Sequence, residues 1–271
     1  MLNRHFPTVT QSVFLVIFLI AVQVVFGLVV SPVVRAAQSA RLATVLTILG
    51  YGLSFGLVIL VSMRRSGLRW KERMATGPGS ALFLPAVVYT VTGLQVLLSE
   101  LDNLFRRLLP GPAGMPGILE QVAAGENLAG MFILLAVLAP LAEETLFRGI
   151  MLRGFLQNYS LVKALVVSAL VFAVSHMNIW QFTGAFILGV YLAYVLWETG
   201  SLSLCMGAHL LNNAMPFVFL HLLGLEIPGF TAVTEPVSFQ PPWLDLLGAA
   251  GVLVGGWLTW LHYRVKRRSA R

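Results

Sequence analysis

The sequence predicts an all-α, polytopic membrane protein with about eight transmembrane helices. Hydrophobic residues occupy 58% of its 271 positions and charged residues only 11%, against roughly 25% charged residues in a typical soluble domain. The apolar residues are gathered into runs close to the about 20 residues that a helix needs to cross a bilayer. Most of the chain is therefore suited to lipid or to other apolar helices.

Eight apolar runs are candidate spans, and short connections join most of them. They cover about residues 12–30, 42–62, 81–99, 128–152, 161–176, 182–197, 202–222 and 243–263. The fifth and sixth runs are shorter than a full crossing. Only the connections 100–127 and 223–242 are long, and neither has room for a soluble second domain. We therefore expect a single integral membrane domain over residues 1–271.

The placement of lysine and arginine predicts that both termini lie in the cytoplasm, because cytoplasmic loops retain positive charge. With eight spans, 14 of the 18 basic residues fall on that side. They are Arg4, Arg64, Arg65, Arg69, Lys71, Arg73, Arg148, Arg153, Lys163, Arg264, Lys266, Arg267, Arg268 and Arg271. The loop 223–242 on the opposite side has Glu226 and Glu235 and no basic residue.

The net charge of +7 does not indicate a nucleic-acid partner, since the excess lies in short loops that face an anionic membrane surface. Membrane lipid is the expected partner, in a bacterial or archaeal cell membrane. The single cysteine, Cys205, excludes an internal disulfide. The first apolar run is read as a retained helix rather than a signal peptide cleaved near Val34 to Ala37, because 19 residues exceed the usual apolar region of such peptides.

Polar residues that interrupt the apolar runs identify the candidate site. Glu143 and Glu144 end the apolar run 131–142, His176 ends the run 161–175, and His209 and Asn213 lie within 202–223. Ionisable groups inside a membrane are rare and are usually functional. Taken singly, each has a structural interpretation: a salt-bridged carboxylate pair, core histidines, or an asparagine that bonds between helices.

Helix geometry predicts that these residues converge. If the fourth span turns into the fifth near residues 158–160, Glu144 and His176 lie at similar depth on adjacent antiparallel helices. The next turn, near residues 199–201, places His209 at about 12 Å along the seventh span. We therefore expect helices 4, 5 and 7 to supply one site that opens from the cytoplasmic half of the membrane.

Spacing within the helices supports the same site. Residues four apart share a helix face, so Glu144 can reach Arg148, Phe172 lies one turn before His176, and His209 lies one turn before Asn213. Just upstream, Pro140 removes a helix hydrogen bond and could open the backbone beside Glu143. A face of small residues on the sixth span would allow helices to approach closely: Gly184, Gly189 and Ala193.

This set of side chains favours peptide hydrolysis by an activated water. A carboxylate in a low-dielectric site is a competent base near neutral pH, so Glu143 with His176 could activate a water molecule. His209 and Asn213 offer hydrogen-bond donors, and donors that face a developing oxyanion are usually the largest contribution to acyl-transfer catalysis. No serine or cysteine nucleophile clearly joins the group.

Three ordered motifs resemble those of the CPBP intramembrane proteases, the CAAX-protease and bacteriocin-processing family. Glu143 to Arg148 resembles EExxxR, Phe172 to His176 resembles FxxxH, and His209 to Asn213 resembles HxxxN. The order and separation of the motifs agree, and the resemblance covers about residues 128–220. The first three spans, within 12–99, and the last, 243–263, contain no recognisable motif.

The resemblance implies a glutamate-dependent CAAX prenyl endopeptidase-like protease. Glu143 would be the principal base and His176 its partner on the water. His209 and Asn213 would donate to the oxyanion, while Glu144 and Arg148 would support the site. Many members of the family are labelled metalloproteases, but the sequence has no compact His/His/carboxylate motif. A mechanism without a cofactor is therefore preferred, with a divalent metal such as zinc as the alternative.

Two other classes of function explain the same buried polar groups. A proton-coupled transporter could use Glu144, Arg148, His176 and His209 as a relay, although the internal repeat of many carriers is absent. A non-catalytic bacteriocin-immunity protein could retain the residues for stability. For the protease, a site surrounded by lipid predicts prenylated or otherwise membrane-tethered peptides, or bacteriocin-type peptides, as substrates.

Overall fold

The computed structural model describes residues 5–66, 83–109, 127–232 and 237–269, with the backbone alone for 265–269. Within these ranges the chain is helical and has no strand, only an isolated bridge between Pro228 and Ala232. The predicted all-α class is confirmed. Several predicted loop charges lie outside the described residues: Arg4, Arg69, Lys71, Arg73, Glu235 and Arg271.

Eight helices follow one another along the described chain. We number them α1 Val9–Ala37, α2 Ala40–Ser66, α3 Phe83–Leu108, α4 Leu128–Asn158, α5 Leu161–Ser175, α6 Ile179–Thr199, α7 Leu202–Leu222 and α8 Pro242–Ser269. All of them except α5 are long and apolar enough to cross a bilayer. The chain is an integral membrane protein, and the predicted number of about eight helices agrees with the structure.

The two runs that the sequence marks as short differ in length. Helix α5 has 15 residues, or about 22 Å of helix, which is less than the about 30 Å of hydrocarbon in a bilayer. Helix α6 has 21 residues and begins before the predicted residue 182. Its start is fixed by Asn178, whose side chain accepts hydrogen bonds from the backbone N–H groups of Trp180 and Gln181.

Helix α3 continues to Leu108, well beyond the predicted end at residue 99. Hydropathy falls after residue 99 because the following residues include charged side chains, the first of which is Glu100. The helix persists since Asp102 and Arg106, four residues apart, form an ion pair on its surface. The apolar run therefore marks the membrane-compatible part of the helix and not its end.

The described residues divide into two compact units. The first unit contains 5–66 and 127–206, and the second contains 83–109, 207–232 and 237–269. Helices α4 and α5 belong to the first unit, whereas most of α7, including His209 and Asn213, belongs to the second. The single domain over residues 1–271 stays a prediction.

In the first unit, α2 runs beside α4 in the same direction. Near the start of both helices, Gly130 lies against Thr44, where a Cβ atom at Gly130 would be 2.5 Å from the threonine methyl group. Farther along, the side chain of Leu138 lies beside Gly52. Helix α5 folds back along α4 after a turn at residues 159–160 and also packs against α6 and α1.

Helix α4 is not a regular α-helix, which the sequence did not predict. It contains π-helical turns at Ile133–Leu138 and at Thr145–Leu152, with an α-helical stretch, Ala139–Glu144, between them. Pro140 explains the first, because its ring would clash with the carbonyl four residues earlier in a tight α-turn. Wider turns of this kind occur frequently at functional sites. Glu143 and Glu144 are the last two residues of the α-helical stretch between the two π-helical segments.

In the second unit, α3 and α8 pack closely through small residues. Gly248, Gly251 and Gly255 lie against Gly93 and Thr90, and a Cβ atom at Gly255 would be only 2.1 Å from the hydroxyl of Thr90. The sequence reading assigned no role to these glycines, although their spacing is typical of membrane helix contacts.

The connection before α8 is held to α3 by side-chain amides. Asn103 donates to the Gly229 carbonyl at 2.7 Å, and Gln240 donates to the Val96 carbonyl at 3.1 Å. Gly229 has φ +69°, a left-handed conformation that favours glycine. A small apolar cluster packs around the connection: Val96, Met215, Ile227, Phe230 and Leu244.

Candidate active site

The predicted pairing of Glu144 with Arg148 is present and fully buried. Arg148 Nη1 donates to Glu144 Oε1 at 2.8 Å, and both side chains have 0% exposure. The pair spans the junction between the α-helical stretch and the second π-helical segment of α4. The count of basic residues placed Arg148 on the cytoplasmic side of the membrane, which stays a prediction. Its side chain is buried inside the first unit.

Arg148 also joins α4 to α5 and α6. Its Nη2 atom donates to the carbonyl of Gly189 on α6 at 3.3 Å. Its guanidinium carbon lies 4.4 Å from the centre of the Phe172 ring on α5, within the range of a cation–π interaction. Burying a charge requires partners of this kind. The Arg148 guanidinium thus contacts residues of α4, α5 and α6 in the first unit.

Gly189 makes the contact with Arg148 possible. A Cβ atom there would lie 3.1 Å from Ala169 and 3.2 Å from the Phe172 ring, so α5 and α6 are close at this level. Ala193, one turn later, is also fully buried. The predicted small-residue face is confirmed at these two positions.

Phe172 connects Arg148 with His176. The Phe172 and His176 rings meet edge to face at 4.8 Å, and His176 Nδ1 lies 3.0 Å from the Phe172 carbonyl oxygen. His176 is half-buried and caps the C-terminal end of α5. A continuous set of contacts therefore runs from Glu144 through Arg148 and Phe172 to His176. The predicted alignment of α4 with α5 is confirmed at the level of Arg148 and Phe172.

Glu143 has a partner that the sequence reading missed. The hydroxyl of Tyr51 on α2 donates to Glu143 Oε1 at 2.6 Å. The two residues are 92 positions apart, so no local spacing links them. The sequence could have indicated such a contact, because Tyr51 lies in the middle of the apolar second span, where the hydroxyl group needs a polar partner.

His209 and Asn213 lie one turn apart on α7, as predicted from their spacing. Both belong to the second unit. The His209 side chain is buried, with 3% exposure, and Asn213 is half-buried. The neighbouring Asn212 donates from Nδ2 to Asn213 Oδ1 at 3.0 Å. This contact engages the carbonyl oxygen of the Asn213 amide and so orients its NH₂ group, which is the donor that an oxyanion would need.

The described residues were compared with the ligand set of a zinc site, which usually has at least three protein ligands. In the part of the chain that the structure describes, no three His, Cys, Asp or Glu side chains lie together as ligands. Cys205 is buried and its thiol is directed at the Leu192 carbonyl, 3.4 Å away. We derive no step through a metal, and the zinc alternative stays a matter for experiment.

Comparison with known families agrees with the motifs. Residues 125–215 match the model of the family described as type II CAAX prenyl endopeptidase Rce1-like. The matched stretch contains all three motifs, from Glu143 to Asn213. No curated protein and no solved structure is a significant match. Over residues 125–215 the chain is similar to the Rce1-like CAAX endopeptidases, and the resemblance to the CPBP proteases is confirmed there.

Proposed function

We propose that the chain is an intramembrane endopeptidase that hydrolyses membrane-tethered peptides with a water molecule activated by Glu143 and His176. The observation that supports this most strongly is the series of contacts from Glu144 through Arg148 and Phe172 to His176. It begins at the residue after Glu143 and lies inside the stretch similar to CAAX endopeptidases.

The first chemical step is attack of water on the peptide carbonyl. Glu143 accepts a proton from the water while His176 holds its oxygen, and the water oxygen bonds to the carbonyl carbon. The carbonyl π electrons move to oxygen and form a tetrahedral oxyanion. General bases of this kind accelerate reactions by about 10²–10⁴-fold.

Stabilisation of the oxyanion and departure of the amine complete the reaction. The resemblance to the protease family assigns the donors to this negative oxygen to His209 and to the NH₂ group of Asn213 on α7. Protonated Glu143 then delivers its proton to the leaving nitrogen, the C–N bond breaks, and the carboxylate is restored. The net reaction consumes one water molecule for each peptide bond.

Glu144 and Arg148 support this chemistry without taking part in proton transfer. Their pairing neutralises both charges inside the first unit, and Arg148 holds Phe172 against His176. The site is proposed to open toward the cytoplasmic half of the bilayer, with both termini in the cytoplasm. Substrates would then approach along the membrane, as prenylated or bacteriocin-type peptides.

The test is peptide cleavage by the purified protein in lipid vesicles, with and without Glu143→Ala. A farnesylated peptide with a CAAX-type C-terminus and the same peptide without its lipid serve as substrates, and mass spectrometry identifies the products. We expect cleavage of the lipidated peptide only, and a loss of at least about 10²-fold in the variant. Glu226→Gln, an exposed carboxylate outside the motifs, is the matched control.

Three outcomes would contradict parts of the proposal. Retained cleavage by Glu143→Ala would remove this residue from the mechanism. Equal cleavage of the unlipidated peptide would remove the membrane-tethered substrate class. Loss of activity with a chelator, and its recovery with zinc, would replace the cofactor-free mechanism by the metal alternative.

A further inference from the structure

A tyrosine outside the family-like stretch contacts the proposed base. Tyr51 lies on α2, whereas the similarity to CAAX endopeptidases covers residues 125–215. Its hydroxyl donates to Glu143 Oε1 at 2.6 Å, which is short for an O–H···O bond and typical of a charge-assisted one. The contact therefore joins α2, which contains no recognisable motif, to Glu143, the first residue of the EExxxR-like motif.

The Tyr51 ring packs against Phe55, one turn further along α2. The two rings are stacked, with centres 4.6 Å apart and planes inclined by 26°. Phe55 itself is buried, with 4% exposure. The adjacent Gly52 faces Leu138 on α4, close to the stretch that ends in the glutamates. The approach of α2 to α4 at this level brings the phenol to Glu143.

We propose that Tyr51 is a positioning residue that orients the Glu143 carboxylate for proton abstraction. The inference rests on the proposed function, in which Glu143 is the base. A glutamate side chain can adopt several rotamers, and a misplacement of about 1 Å at a reacting group can reduce the rate by about 10²-fold. The tyrosine hydroxyl restricts this freedom through one carboxylate oxygen.

Tyr51→Phe tests the inference, because it removes the hydroxyl and keeps the ring that stacks on Phe55. We expect kcat to fall by about 10- to 100-fold and KM to change little. Tyr89→Phe is the matched control, since Tyr89 lies on α3 with 49% exposure. The control should retain the wild-type kcat and KM.

The outcomes separate this inference from the proposed function. Absence of cleavage by the wild-type protein would contradict the proposed function. A wild-type kcat in Tyr51→Phe, with Glu143→Ala inactive, would overturn only the role of Tyr51. A rise in KM as large as the fall in kcat would also overturn it, because a general loss of packing would weaken substrate binding as well.

A second measurement needs no substrate. Thermal unfolding of Tyr51→Phe, Glu143→Ala and the double variant forms a double-mutant cycle. If the hydroxyl and the carboxylate are bonded, the double variant loses less stability than the sum of the single variants. Strictly additive changes would overturn the contact on which the inference depends.

Discussion

The two units bury polar side chains in different ways. In the first, Glu144 and Arg148 have 0% exposure and pair with each other along α4, and Arg148 also lies against the Phe172 ring on α5. In the second, the amides of Asn103 and Gln240 are 8% and 4% exposed, and both donate to backbone carbonyls. An amide that satisfies a carbonyl stabilises a connection. A buried ion pair contributes little net stability, which agrees with the supporting role in the site that we propose for Glu144 and Arg148.

The largest expected effect comes from breaking the ion pair on one side. Arg148→Met leaves the buried Glu144 carboxyl without its ion-pair partner, and removing one partner of a buried pair typically costs about 3–5 kcal/mol. We expect a large fall in the thermal unfolding temperature in lipid nanodiscs, and loss of cleavage. The double variant Glu144→Gln/Arg148→Met should recover much of the stability but not the activity. Equal instability of the single and double variants would contradict the contribution of the isolated charge.

An intermediate effect is expected in the second unit. Asn103→Ala removes the donor to the Gly229 carbonyl, and an unsatisfied buried group costs about 1–3 kcal/mol. The unfolding temperature should fall, whereas the cleavage rate per folded molecule should stay at the wild-type value. Thr92→Ala is the control, because Thr92 is exposed and bonds to carbonyls of its own helix. A specific loss of activity in Asn103→Ala would remove the distinction between the two units.

The smallest effect is expected at the contact between α5 and α6. Gly189→Ala places a methyl group 3.1 Å from Ala169. Overpacking costs about 1–3 kcal/mol, but alanine favours a helix by about 1 kcal/mol over glycine. We expect a net loss of about 1 kcal/mol in the free energy of unfolding and a lower kcat, because the carbonyl that holds Arg148 moves.

Gly56→Ala provides the comparison for that variant. A Cβ atom at Gly56 has nothing within 4 Å, so this substitution should leave stability unchanged or slightly increased. If both glycine variants behave alike, the close approach of α5 and α6 is not what holds Arg148 in place.

Several features of the site could be predicted from the sequence because they are local. The pair of Glu144 with Arg148 and the contact of Phe172 with His176 each depend on a spacing of four residues in one helix. The alignment of Arg148 with Phe172 follows from the lengths of two helices joined by a short turn. The roles of Glu143, His176, His209 and Asn213 stay predictions based on the motifs.

Other features depend on how helices approach one another, and no spacing encodes that. Two features became clear only from the packed helices: the π-helical turns of α4 and the donation from Arg148 to the Gly189 carbonyl. The end of α3 was missed for another reason. Hydropathy indicates which residues are suited to lipid, whereas the length of a helix depends on local hydrogen bonds and ion pairs.

The sequence by itself determined that this is a membrane protein of about eight helices, which residues interrupt its apolar runs, and which of them share a helix face. These properties follow from composition and from the periodicity of a helix. Only the tertiary structure decided that Tyr51 meets Glu143 across 92 residues. The physical reason is that such a contact requires a particular rotation and separation of α2 and α4, which the packing of many side chains fixes together.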